Sequence, residues 1–131
     1  MSDLDRIRQI IEDVYVRDMY RVRDRETLSP EFHEAFRVLV PQLNGRTGLC
    51  DRVSWETPDI LRGSNPKAIE PSTRFEFPFV DVSGDAAVAK VVILNRTIPI
   101  YTDYVSLYRV DGEWRIVSKL FNAHLEGTGL G

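Results

Sequence analysis

The last third of the chain constrains the fold more than any other part. Residues 101–121, "YTDYVSLYRVDGEWRIVSKLF", alternate around Asp111-Gly112, a dipeptide suited to two-residue hairpin turns because both positions take φ > 0. Counting outward from that turn pairs Val110 with Glu113, Arg109 with Trp114, Leu107 with Ile116, Val105 with Ser118 and Asp103 with Leu120. These residues share one face. Tyr104, Ser106 and Tyr108, opposite Lys119, Val117 and Arg115, share the other. If Val105 and Leu107 face a core, so does Asp103, and an unpaired carboxylate in a core is expensive.

Upstream, "STRFEFPFVDV" and "DAAVAKVVILN" read as two more strands, with a bend at Ser83-Gly84, and "FRVLVPQLNG" as an earlier strand containing Pro41. Helices are expected before and between these. Leu4, Ile7, Ile10, Ile11, Val14, Tyr15 and Val22 cluster on one side at 100° per residue, which predicts a long amphipathic helix. "RDRETLSPEFHEAF" reads as a break, a short second helix and the entry to a strand; "VSWETPDILRG" reads as a third helix, capped by Ser54 or Thr57 and stopped at Gly63. Helices first and a curled antiparallel sheet afterwards is an α+β arrangement, with the sheet burying one face on the helices.

At 131 residues the chain is expected to form a single domain over 1–131, with residues 1–3 and 125–131 as tails. Seventeen Lys and Arg against twenty Asp and Glu, interspersed, lack the basic footprint of a nucleic-acid binder. The longest apolar run falls far short of the roughly 20 residues that span a bilayer. The lone Cys50 makes no internal disulfide, and the N-terminus lacks a signal-peptide layout, so a cytoplasmic location is expected.

Several motifs lead nowhere. "HEAFR" opens like a zinc-protease helix, but Arg37 stands where the second histidine is needed, and no metal site is expected. "GTGLG" at the C-terminus has neither a strand before it nor a helix after it, so no dinucleotide cofactor is expected there.

"IRQIIEDVYV", "FHEAF", the "VSGDAAVAKV" bend and above all the closing hairpin resemble the nuclear transport factor 2-like (NTF2-like) superfamily. Within it they resemble the small bacterial proteins labelled putative lumazine-binding, over roughly Leu4 to Phe121. The resemblance implies a cone: a bent sheet around a central pocket, closed by the long helix and dimeric through the outer sheet face. It also implies a small hydrophobic or aromatic ligand. The face of the last two strands that carries Tyr104, Ser106 and Tyr108 agrees with a homodimer.

The ketosteroid isomerases of that superfamily hold an oxyanion with a neutral buried aspartic acid and a tyrosine of the first helix. Asp103 and Tyr15 lie at the matching places. Burial among Val105, Leu120 and Tyr101 would disfavour the charged form of Asp103, and the two groups are expected to share one ligand atom. The general base of those isomerases falls here at Val40, so isomerase activity does not transfer. A general acid or a hydrogen-bond clamp is what the pair can supply, in a cofactor-free lyase, isomerase or hydrolase or in a binder.

Asp18 falls near the middle of the apolar stripe and is expected either to share a proton with Asp103 or to pair with Arg109. Tyr101, Trp55 and Trp114 are candidates to stack a flat ring. The competing readings are structural: Asp103 as a satisfied tie, Tyr15 and the tryptophans as core, Asp18 as a solvated helix end, and a cone plugged by side chains whose outer face binds a partner protein.

Overall fold

Ser2 starts the N-terminal helix: its hydroxyl accepts the Asp5 N–H at 3.1 Å, while the Asp5 carboxylate accepts the Ser2 N–H at 3.3 Å. That reciprocal box satisfies two otherwise orphaned donors. The computed structural model describes residues 1–22, 28–41, 49–52 and 69–124. Within it, α1 (Asp3–Gln9) continues through two π-wound stretches, Ile10–Tyr15 and Arg17–Val22. The Val16 N–H reaches back five residues to the Ile11 carbonyl, the spacing that defines such winding. Ile7, Ile10, Ile11, Val14, Tyr15, Met19 and Tyr20 are buried. Leu4, placed on the apolar stripe by regular α periodicity, is 41% exposed.

Six strands follow among the described residues: β1 (Phe32–Pro41), β2 (Leu49–Arg52), β3 (Arg74–Ser83), β4 (Ala86–Asn95), β5 (Ile98–Val110) and β6 (Glu113–Ala123). They form one sheet in the order β2-β1-β6-β5-β4-β3. The sheet is antiparallel except where β1 runs parallel to β6, which makes it mixed where an antiparallel sheet was expected. Asp111 and Gly112 take φ of 52° and 81°, the pair of positive angles that lets a two-residue turn follow the twist of its strands.

"FHEAF" lies inside β1, so the described part of the expected second helix is turn and strand. Phe32 and Phe36, four residues apart, suit one face of a helix; the register between β1 and β6 shifts between Phe32 and Arg37, and both rings are buried in the strand. Their centroids lie 5.1 Å apart, edge to face. The expected third helix, with Trp55, lies outside the described residues.

The long helix lies across the inner face and is tied at both ends. At its start, Arg109 of β5 grips both Asp3 oxygens at 3.1 Å. At its end, Arg21 donates to the carbonyls of Glu70 at 2.8 Å and Thr73 at 2.7 Å and lies over the Phe75 ring. Between these ties the core is built from the helix, from Ala89, Val91 and Ile93 of β4, from Val105 and Leu107 of β5, and from Trp114 and Ile116 of β6. No helix among the described residues is long and apolar enough to cross a membrane.

Candidate functional site

The pairing of β5 with β6 follows the counted register from Val110↔Glu113 to Leu107↔Ile116 and then slips by one residue. Beyond the slip, Ser106 pairs with Ser118, Val105 with Lys119, Tyr104 with Leu120 and Asp103 with Phe121. Val117 is the extra residue of a bulge. Because side chains alternate across a strand, one added residue exchanges the faces of everything after it. Lys119, expected outside, is 7% exposed, and Leu120, expected inside, is 42% exposed.

That exchange delivers an ammonium to Asp103. The Asp103 side chain is wholly buried, and Lys119 Nζ lies 3.5 Å from its Oδ2. Tyr15 donates its hydroxyl to the same oxygen at 2.6 Å. Tyr20 donates to it as well, and Lys119 in turn donates to the Tyr20 hydroxyl at 3.2 Å. Three rings surround the ammonium, with centroids at 4.9 Å for Tyr20, 5.2 Å for Phe121 and 5.7 Å for Tyr15, the range in which ring faces attract a cation. Asp103 Oδ1 has no hydrogen-bond partner among the described residues.

Both tyrosines reach one oxygen because of the helix winding. Residues five apart on an α-helix point about 140° apart at 100° per residue. Bonding from i to i+5 brings Tyr15 and Tyr20 round to one side. Burial first, and then the Asp103 charge, push both phenols well above their ordinary range. They are proton donors here, not phenolates.

Tyr15 and Asp103 are therefore brought together, but bonded to each other instead of side by side on a shared ligand atom. Tyr101 is buried beside them, its ring 6.4 Å from Tyr20 and 6.2 Å from Phe121. Three other candidates stand elsewhere. Asp18 neither shares a proton with Asp103 nor pairs with Arg109: its oxygens hold Arg17 Nε at 3.0 Å and the Ser29 N–H at 2.9 Å, fastening the helix to the segment before β1. Arg109 is spent on Asp3 and on Asp85 at 2.9 Å. Trp114 packs under the Arg109 guanidinium and donates its indole N–H to Asp3 at 3.2 Å, so it belongs to the tie at the helix start.

Tyr20 and Lys119 are the site residues that sequence reasoning missed. The odd-numbered positions of Phe121 and Ala123, after inward-facing Trp114 and Ile116, were the available sign of a parity change in β6. Among the described residues no set of three or more His, Cys, Asp or Glu gathers to hold a metal. The two histidines serve locally: His33 Nδ1 accepts the Ala35 N–H at 3.0 Å and His124 Nε2 contacts Thr102 Oγ1 at 2.8 Å.

A helix seated across a curved mixed sheet, with a polar centre between them, is the α+β cone of the NTF2-like class. Solved structures agree on the fold. An NTF2-like protein of unknown function from Shewanella baltica OS155 superposes with a TM-score of 0.68 at 19% identity, over 95% of this chain and 98% of that one. One from Methylobacillus flagellatus KT gives 0.65 at 23% identity, over 94% and 95%. A domain of unknown function with a cystatin-like fold from Nostoc punctiforme PCC 73102 gives 0.58 at 15%, over 95% and 80%. The chain belongs to the family described as "Putative lumazine-binding", whose model matches residues 2–122. No curated protein matches it.

Proposed function

We propose that this protein binds a small hydrophobic or aromatic molecule inside the cone, with Asp103 as the polar recognition group and Tyr15, Tyr20 and Lys119 holding it. The observation that carries this reading is the buried ion pair itself: Asp103 and Lys119 side chains are 0% and 8% exposed. Taking both charges from water makes such a pair a poor stabilising device, since apolar replacements are often as good or better. Ionisable groups gathered in a core are better accounted for by a ligand they recognise. The family description points the same way.

Binding is favoured over catalysis because both phenol protons are committed to Asp103, and Val40 stands where the resembled isomerases carry a base. The test is a thermal-shift screen of the full chain over aromatic heterocycles, polyketide-like rings and steroids. A binder gains stability with ligand. A cone plugged by its own side chains gains none with any member of the screen.

A second reading concerns the outer face, where cross-strand pairing aligns Phe79, Lys90, Tyr104 and Leu120 in one row over four strands. Phe79, Tyr104 and Leu120 are 49%, 43% and 42% exposed. We assign this row to a homodimer contact, as exposed apolar patches of this kind mark interaction surfaces. Light scattering at micromolar concentration should give twice the chain mass, and Tyr104→Glu should give the monomer. A monomeric parent protein sinks the assignment. One thiol and no internal disulfide fit a cytoplasmic setting.

A further inference from the structure

Among the described residues, the partners of the Asp103 carboxylate gather on one of its two oxygens. Tyr15, Tyr20 and Lys119 all converge on Oδ2, while Oδ1, equally buried, is unpartnered among the described residues. A carboxylate can accept at both oxygens, and a buried acceptor left without a donor keeps its full desolvation penalty. Any partner of Oδ1 must donate a hydrogen bond.

On the reading that the cone binds a small molecule, we infer that the ligand is an uncharged ring compound that presents an N–H or O–H donor to Asp103 Oδ1. Three features select that chemistry. A ligand carbonyl or oxyanion would meet a bare carboxylate oxygen, because the Tyr15, Tyr20 and Lys119 donors already serve Oδ2. A ligand cation would find an aspartate whose charge is already matched by the Lys119 ammonium at 3.5 Å. A flat ring suits the aromatic surroundings, where Tyr20, Tyr101 and Phe121 lie at centroid separations of 6.4 Å and 6.2 Å in sequence. The polarity is opposite to that of a tyrosine and acid pair donating to a ligand oxygen.

The test is calorimetric titration of the full chain with three bicyclic probes of similar size: indole, with a ring N–H; benzofuran, without one; and 1-indanone, with a carbonyl and no donor. Indole should bind at least tenfold more tightly than either of the others. Asp103→Asn keeps its carbonyl oxygen for the tyrosines and sets an NH2 in place of Oδ1, so the preference should turn to 1-indanone. If the lone substitution does not fold, Asp103→Asn with Lys119→Met also removes the ammonium left unmatched and should show the same reversal. 1-Indanone or benzofuran binding the parent as tightly as indole overturns the inference and leaves the pocket reading standing. No binding by any ring in a panel of donors and non-donors overturns both.

Discussion

Lys119 Nζ lies 3.5 Å from Asp103 Oδ2 although plain counting from the Asp111-Gly112 turn sets the lysine on the opposite face of the sheet. One bulged residue, Val117, reconciles the two. A local irregularity of the ladder thus determines the charge of the core. Bulges commonly re-aim a side chain in this way next to functional sites.

Removing the ammonium should be costly. Lys119→Met leaves Asp103 as an unmatched buried charge, and loss of one partner of a buried pair destabilises by about 3–5 kcal/mol. Urea unfolding should show that loss, and Lys119→Met combined with Asp103→Asn should recover part of it, since the two changes act on one interaction. A double variant as unstable as the sum of the singles would mean that the pair is not coupled.

Tyr20 should matter as much as Tyr15, since both hydroxyls serve one oxygen. Tyr15→Phe and Tyr20→Phe should each lower stability by about 1.5–3 kcal/mol, the range for hydrogen bonds to charged groups. Their combined effect should differ from the sum by at least about 0.5 kcal/mol. A Tyr20→Phe protein with parental unfolding midpoint contradicts the shared geometry.

The same phenols predict the alkaline limb of stability. Burial and then the Asp103 charge raise both above the ordinary tyrosine value of 10.0. Between that value and the folded one, the native state binds more protons than the unfolded chain, so stability falls as pH rises. The contribution is complete below about pH 10 and is lost on the way up through the folded values. Melting temperatures should drop more steeply above pH 10 in the parent than in the Tyr15→Phe, Tyr20→Phe double variant. Parallel curves would refute the assignment.

Asp18 and Arg109 should behave as structural ties. Burial raises the Asp18 carboxyl, but the Ser29 N–H and Arg17 outweigh it and leave it below its ordinary value of 3.8. A depressed carboxylate contributes above its unfolded value and loses that contribution as pH falls through the folded one. Asp18→Asn should therefore cost about 1 kcal/mol at pH 7, with the gap to the parent closing in acid. Arg109→Gln should lower the melting temperature by removing the guanidinium bonds to Asp3 and Asp85 and leave indole affinity unchanged. A fall in affinity would return Arg109 to the site.

What could be read from residues alone followed regular geometry. The Asp111-Gly112 turn, the alternation around it and the buried position of Asp103 all rest on period two, and Tyr15 rests on the helical stripe. The readings that departed from the structure lie where that geometry breaks. Tyr20 joins Tyr15 through π winding, which a 100° step does not anticipate, and Lys119 enters through the Val117 bulge. Asp18 falls in the stripe and is buried, against the competing reading of a solvated helix end, and its partners come from Arg17 and Ser29. Arg109 and Trp114 were paired correctly with each other, but Asp3 at the helix start claims both, a long-range contact that no local pattern encodes.

The most direct test of the central claim, that the buried Asp103 cluster is a ligand site and not only a structural tie, is a methyl-labelled NMR titration of the full chain with indole. Val91, paired with Asp103 across β4 and β5, and Val105, two residues along, supply reporters on the inner face. Val88 and Val92 supply reporters displaced from it, at half-buried positions. Saturable shifts at Val91 and Val105 that disappear in Asp103→Asn are the predicted result; shifts confined to Val88 and Val92, or unchanged by the substitution, contradict it.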